Sequence, residues 1–582
     1  MVWSRAPRRQ MSSALCLVAS LLAALSLVGA PRASAAVGDP FLDSCITLHT
    51  DPPCAGAEEA ATALAMHPSG RWLYVATILS GGGAYGVTVY DRDTTTGALS
   101  RHPGPGGCVT RDGSGGRCGA APPISAGPVY GMEVSPDGRN LYVPAINGNL
   151  VVFDIDKASG ALTYRSCFGS GQECTLPRGM GGGYVTGFVV DPTDGTSAYL
   201  RVGGALLVFS RDPSTGALTQ MAGSAGCLTE APTSGCTDAV GLTLGGFQLQ
   251  ISPDGRHLYT TEQGPGGVTV FQRLPDGSLL EPAGTAGGCI SADGSSNSVA
   301  GSCVDGSDTL ANAYGVAIDP AGRNVYVTSG TGMVVYARNA VSGLLTEIAC
   351  YRQNGGGGCG ARSGVAAVHA HVTPDGAQLV TSVAGGLMAG FLVRDGAGAL
   401  TNRPDGRGCL SWDGTSGACM ALTPLGSAGI SDVALAPDGV FEYLASSPNG
   451  MLATLHFDVA PTCEDGAITV TSPMTVEIPL RCVDRNGDRL TRSIVQAPSI
   501  GRVEAINDVD GAAVYTAPPY GPPPVSAYAA VPPAYGAPAT VYAAPPPGYV
   551  VRERILAPTD AYAADYPPRP PAPIPYGGRP RW

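Results

Sequence analysis

The residues best suited to chemistry in this chain are His369, His371 and Asp432. His369 and His371 lie two positions apart, and in an extended strand that spacing puts both imidazoles on one face. A carboxylate beside them would make a His–Asp couple for general-base work or a two-histidine metal site. The plainer reading is that a solvated surface tolerates polar side chains. No Gly-x-Ser-x-Gly elbow, His-Glu-x-x-His run or phosphate-cradling loop accompanies them, and tracts such as DGSGG and GGGGCG read as loop glycine. No cofactor or metal is therefore expected. His67 and His257 sit in or beside turns and are expected to be exposed.

Whether Asp432 stands near the two histidines depends on the elements that carry them, and internal repeats define those elements. A turn signature occurs seven times, as HPSGRWLYV, SPDGRNLYV, DPTDGTSAYL, SPDGRHLYT, DPAGRNVYV, TPDGAQLV and APDGVFEYL. Its Ser, Asp or Thr caps the turn, its proline fixes φ and its glycine closes it. The turn prolines, Pro68, Pro136, Pro192, Pro253, Pro320, Pro374 and Pro437, are 54 to 68 residues apart. Downstream runs such as LVVFDIDKASGALT and LLVFSRDPSTGALT alternate apolar residues and then meet a Ser/Thr-Gly turn. Each unit supplies four short strands, which predicts an all-β chain built on a seven-bladed β-propeller over 37–460.

The SPDG-x-x-LYV and VFxRDxxTGALT phrases resemble those of the lactonase-like, YVTN-type propellers. That resemblance implies the fold, and it implies a lactone hydrolase with a metal or His–Asp site in the channel as one candidate activity. The family's best-known substrate is an intracellular phosphorylated sugar lactone, yet the inferred channel face here lacks Arg and Lys.

In a propeller the strand entering each turn is innermost. Four and two positions before the turn proline the residues are apolar and are expected to pack between blades. Five and three positions before it lie Glu133, Gln248, Gln250, His369, His371 and Asp432 among small residues, an expected polar arc on the channel wall. His369, His371 and Asp432 are thus the candidate catalytic residues, on neighbouring blades.

Seventeen cysteines divide into Cys16 and eight sequential pairs, Cys45/Cys54, Cys108/Cys118, Cys167/Cys174, Cys227/Cys236, Cys289/Cys303, Cys350/Cys359, Cys409/Cys419 and Cys463/Cys482. From the second cysteine of the first seven pairs to the next turn proline the distance is only 14 to 18 residues, so the cysteines are pinned to the repeat frame. Disulfides stapling the connections between blades are expected, each contributing roughly 2.5 to 3 kcal/mol. Zinc would favour closer spacing and histidine. Arg5, Arg8 and Arg9, an apolar run to about Ala30 and Ala33-Ser34-Ala35 read as a signal peptide over 1–35 whose removal takes Cys16 with it. The expected location is extracytoplasmic: secreted, periplasmic or at the cell surface. Losing four leader arginines moves the net charge from −12 to −16, which argues against nucleic acid. No later run is long and apolar enough to span a bilayer.

The seventh repeat lacks its outer strand, since Cys463 follows Pro437 by 26 residues where other repeats take 30 to 40. The segment from about Val37 to Ser44 is expected to complete that blade and close the ring. Over 461–518 the phrase CVDRNGDRLTRSIVQAPSIGRVEA, ending in VYTAP, resembles bacterial immunoglobulin-like or cadherin-like modules, here a small β-sandwich without its closing strands. Asp484, Asn486 and Asp488 read as a turn rather than a calcium loop. Residues 519–582, rich in Pro, Ala and Tyr, are expected to be a disordered tail. Together these features favour a secreted propeller acting as a binding or cell-surface interaction scaffold, expected as a monomer. Its ligand is a protein, glycan or small molecule that the sequence does not name. Lactone hydrolysis is the alternative, and a structural wall role through the tail is a third reading.

Overall fold

The computed structural model describes residues 40–457 apart from 48–54, 57–58, 80–84, 125–130, 146–147, 172, 182, 231–234, 244, 283–287, 384–386, 404–406, 412, 415–418, 422–429 and 447–449, and beyond 457 only the backbone of short strands. Two compact units divide the chain, one over Pro40–Phe457 and one comprising Met1–Asp39 and Asp458–Trp582.

Seven antiparallel sheets follow one another along the first unit. The innermost strands are Glu59–Met66, Glu133–Val134, Val185–Val190, Gly246–Ile251, Ala313–Ile318, Ala367–Val372 and Asp432–Leu435. Each runs into its turn, where in blade two Gly138 N–H donates to Ser135 O at 2.8 Å and the Ser135 hydroxyl accepts Asn140 N–H at 3.0 Å. Gly138 has φ +67°, a conformation glycine adopts without strain. Blade seven takes its fourth strand from the other end of the chain. Pro40–Thr47 pairs antiparallel with Met451–Phe457, so the closing strand extends past the expected Ser44, while residues 37–39 lie outside the described residues.

Most of the core lies between blades. The large hydrophobic clusters join side chains from two neighbouring sheets: Val189, Tyr199 and Val208 of blade three meet Leu249, Ile251 and Phe271 of blade four, and Tyr259 and Val270 of blade four meet Val316, Val325 and Val327 of blade five. A propeller is therefore a ring of seams, and its stability lies in what crosses them.

A polar staple recurs at those seams. A tyrosine in the strand leaving the turn donates to the carbonyl of the glycine that closes the outer-strand turn of the following blade: Tyr74 to Gly160, Tyr142 to Gly216, Tyr199 to Gly277, Tyr259 to Gly343, Tyr326 to Gly398 and Tyr443 to Gly97, at 2.7 to 3.1 Å. At five of those seams an arginine from the following blade, Arg92, Arg211, Arg273, Arg338 or Arg394, gives Nε–H to the same phenol. Its Nη2 reaches an aspartate of the preceding blade's turn, as Arg211 reaches Asp137 at 3.0 Å and Arg394 reaches Asp319 at 2.7 Å. The turn glycine must be glycine for two reasons. At Gly216 φ is +73°, and a Cβ would lie 2.0 Å from Asn140 Oδ1.

His67 and His257, expected at the surface, are instead buried in seams. His67 Nε2 pairs with Gly138 O at 3.0 Å, and His257 Nδ1 meets Arg338 Nη2 at 2.6 Å. A turn residue in this fold faces the next blade, so proximity to a turn does not mean exposure.

Among the described residues six disulfides have both cysteines described, Cys108–Cys118, Cys167–Cys174, Cys227–Cys236, Cys289–Cys303, Cys350–Cys359 and Cys409–Cys419, with Cα separations of 4.8 to 5.0 Å. They point to an oxidising, extracytoplasmic environment. Cys45 is also disulfide-bonded, whereas Cys54 lies outside the described residues. In most blades the returning cysteine leads into a two-residue parallel strand, such as Gly119–Ala120 against Val109–Thr110, which covers the blade's outer edge.

In the other unit Thr475–Pro479, Ala512–Thr516 and Arg502–Asn507 form a three-stranded antiparallel sheet, and Cys463 and Cys482 face each other in a short ladder. Gly466–Val470 pairs with Val525–Ala529 and Arg492–Ser493 with Arg554–Ile555, so two strands come from the stretch expected as a disordered tail and pair with strands of the expected 461–518 module. The expected leader and most of the expected tail lie outside the described residues. Among the described residues no helix is long and apolar enough to cross a membrane.

Removing Pro40–Ser44 should lower the melting temperature by at least about 5 °C, because it takes half the closing strand from blade seven. Removing 519–582 should change it by under about 2 °C. Differential scanning calorimetry of the two truncations checks this, and equal shifts would contradict ring closure by the N-terminal strand.

Candidate functional site

The inner strands bend before they reach their turns. Register slips between Ala61 and Ala63, Val185 and Gly187, Gly246 and Leu249, Ala313 and Val316, and Ala367 and His369. Such bulges take backbone N–H groups out of the ladder, and each needs another acceptor. In blades four, five and six a hydroxyl two residues after the Tyr position supplies it: Thr261 accepts from Gln248 N–H, Thr328 from Gly315 N–H and Ser382 from His369 N–H, at 3.0 to 3.1 Å.

The polar arc meets a related need between blades, because the innermost strand is the edge of its sheet and its outward N–H groups have no ladder partner. Asp432 Oδ2 accepts Leu64 N–H of blade one at 2.8 Å, and its Oδ1 accepts Val433 N–H at 2.8 Å. Gln248 Oε1 accepts Val316 N–H of blade five at 2.8 Å. The Glu133 carboxyl takes the Val190 N–H of blade three. These side chains project toward the following blade, as Val189 and Ala317 do at equivalent positions, while Leu249 and Ile251 project toward the preceding one. Strand alternation thus separates one seam from the other, and the burial follows. His369 and Asp432 are buried, Glu133, Gln248 and His371 are half-buried, and Gln250 is exposed.

One contact skips a blade. Gln248 Nε2 lies 2.9 Å from His369 Nδ1, joining blade four to blade six. With Oε1 already accepting a backbone N–H, the amide nitrogen donates, so His369 Nδ1 is the acceptor and its proton sits on Nε2. The intervening blade five carries Gly315, where a Cβ would lie 2.6 Å from both Val368 O and Thr328 Oγ1. Glycine is what lets the bridge pass.

Burial sets the charge states. It pushes the His369 imidazole down to about 4 and also lowers His371, against the pull of Asp432. It raises Asp432 to about 6, opposed by the Leu64 N–H, His371 and the Val433 N–H. Glu133 rises to about 8 for the same reason. Near pH 7 both histidines are neutral and Glu133 is protonated. His371 Nε2 is buried without a hydrogen-bond partner. His371 and Asp432 therefore come within electrostatic reach of each other, while His369 is engaged by Gln248. Among the described residues no three His, Cys, Asp or Glu side chains gather as a metal site would require.

A second polar cluster was not visible in the sequence. Arg201, fully buried in blade three, donates through Nη2 to Glu262 of blade four at 2.9 Å, and Thr243 Oγ1 donates to Glu262 at 2.9 Å. Burial still raises Glu262 to about 7, opposed by Arg201 and Thr243. Equivalent positions two residues after the tyrosine hold small side chains in the other blades, such as Ala76 and Thr328. Arg201 breaking that pattern was the available signal.

Solved structures that resemble the chain include a candidate 6-phosphogluconolactonase of Bacteroides fragilis, with 17% identity over 64% of this chain and 95% of that one at a TM-score of 0.42. A candidate 6-phosphogluconolactonase of Bacteroides uniformis has 16% identity over 58% and 82%, at 0.39. The periplasmic gluconolactonase of Pseudomonas aeruginosa has 18% identity over 59% and 84%, also at 0.39. No family model and no curated protein matches the chain. The seven-bladed architecture stands on the strand pairing above, independently of these likenesses.

Glu133 and Glu262 have folded-state values above their ordinary 4.5, so folding takes up protons and their contribution is lost as pH rises from about 4.5 to about 8. His369, held below 6.5, acts oppositely but only below pH 6.5. The urea midpoint should therefore be higher at pH 6.5 than at pH 8.0, and Glu133→Gln should flatten that difference. A midpoint that rises with pH over this range would contradict the burial of these carboxyls.

Proposed function

We propose that this chain is an exported, disulfide-stapled propeller that serves as a binding scaffold outside the cytoplasm. The observation that carries the reading is the engagement of the polar arc in the ring itself: both Asp432 oxygens accept backbone N–H groups, and Gln248 clamps His369. A hydrolase needs a group free to activate water and donors aimed at the developing oxyanion. Carboxylates and amides that satisfy the exposed backbone N–H groups of inner edge strands serve another task. The apparent adhesion-type module and the Pro/Ala/Tyr-rich tail favour a role in attachment or recognition, with a protein, glycan or small molecule as partner.

The second reading is lactone hydrolysis, and one observation favours it. His371 Nε2 is buried, unpartnered and under the influence of Asp432. In that reading His371 would take a proton from water as the water adds to the lactone carbonyl, and Asp432 would steady the imidazolium.

Metal analysis of the purified mature protein, with a panel of phosphorylated and neutral sugar lactones, separates the two. The scaffold reading expects metal-free protein with no turnover above buffer. Turnover that falls at least about 100-fold in both His369→Ala and His371→Ala would overturn it.

A further inference from the structure

Six of the seven seams carry the tyrosine bond, and the exception is the seam between blades six and seven. There Val380 stands where the tyrosine stands elsewhere, and Phe457 stands where the arginine stands. Blade seven has no Ser/Thr-Gly turn to offer a carbonyl, because its fourth strand comes from the N-terminus. The seam between blades one and two also lacks the arginine, having Ile155 in its place, but it keeps Tyr74 to Gly160 and adds His67 to Gly138.

What replaces the staple at the sixth seam is apolar packing and an anomaly. Val380, Phe391, Leu444, Leu455 and Phe457 form the cluster, with the Phe391 and Phe457 rings edge to face at 5.9 Å. Glu442 then occupies a position that holds Leu73, Leu141, Ala198, Leu258, Val325 and Leu379 in the other blades. It has no exposed surface, and neither carboxyl oxygen has a hydrogen-bond partner. Gln378 Oε1, which aligns with Asn140 Oδ1 and Asn324 Oδ1, is likewise unpartnered, whereas those two accept from an arginine. Unpaired buried acceptors of this kind keep the full cost of having left water.

We propose that the seam between blades six and seven is where the ring opens, with Glu442 as the group that lets a rise in pH favour the open state. In the closed ring Glu442 lies between Leu435 and Leu455 in its own sheet. The titratable groups on the elements around it are Asp375 and Arg394 of blade six and Asp432, Asp438 and His456 of blade seven. Arg394 is engaged with Asp319 and Asp438 with Arg92, each in another seam. None of these groups moves Glu442, and burial alone holds its carboxyl well above the usual carboxylate range. The closed seam therefore takes up a proton that the open seam gives back to solvent. Opening becomes more favourable as pH rises above about 4.5, by up to about tenfold per pH unit until the closed-state value is reached.

Hydrogen exchange of the full mature protein at pH 6 and pH 8, corrected for intrinsic rates, tests this. Amides of Phe441–Ser446 should exchange at least about tenfold faster than those of Ser197–Val202, whose blade is stapled on both sides, and the gap should widen at pH 8. Glu442→Leu, which restores the residue type of the other blades, should slow Phe441–Ser446 and remove the pH dependence. Glu442→Gln should remove the pH dependence while leaving opening fast. Equal protection of the two strands, or a pH dependence that survives in Glu442→Gln, would overturn the proposal.

Discussion

The interaction on which this structure depends is the guanidinium held between two blades. A propeller blade buries its faces only against its neighbours, so the fold needs contacts that are directional as well as apolar at each seam. Arginine suits this because its planar fork presents several donors at once. Arg211 shows the arrangement: Nε–H goes to the Tyr142 phenol, Nη1–H to Gly195 O in its own blade, and Nη2–H to Asp137 and Asn140 across the seam. The tyrosine hydroxyl, receiving from arginine, passes its own proton to a glycine carbonyl. The phenols are accordingly raised by burial, Tyr142 to about 12. Removing one partner strands the others in a dry interface, which is why such pairs are costly to break singly even where their net contribution is modest.

The same logic explains the residues that first suggest catalysis. The innermost strand of each blade is a sheet edge at the axis of the ring, and in five blades it is also bulged, so it exposes N–H groups that no ladder accepts. Asp432, Gln248 and Glu133 meet that need across seams, and Thr261, Thr328 and Ser382 meet it within blades. Polar side chains near the axis are thus part of closing the ring, and a functional role has to be argued from what they leave unused. His371 Nε2 is the principal atom of the arc in that position.

Much of the fold could be read from the sequence because its signals are local. The turn phrase needs only a capping side chain, a proline and a glycine within four residues, and it locates every blade. The cysteines keep step with it, and the short seventh repeat gives away the strand exchange between the ends. The staple was harder to read, since Tyr142 and Arg211 are 69 residues apart and meet only through the geometry of adjacent blades. Its trace in the sequence is covariation: the turn of blade one, His67-Pro68-Ser69-Gly70, has no aspartate where each of the other six turns has one, and blade two, which faces it, has Ile155 where five blades have arginine. The site was less legible still. Alternation assigns His369 and Asp432 to a face, yet in a propeller both faces of a strand meet protein, so the pattern cannot tell channel from seam. His67 and His257 show the same limit, each beside a turn and each buried.

The central claim is that the Arg–Tyr pair couples adjacent blades energetically rather than filling space. A double-mutant cycle on Arg211→Met and Tyr142→Phe, read by urea unfolding with disulfides intact, measures this directly. The account predicts that each single variant loses about 1 to 3 kcal/mol and that the two losses fall short of additive by at least about 1 kcal/mol. Losses that add to within about 0.3 kcal/mol would contradict it.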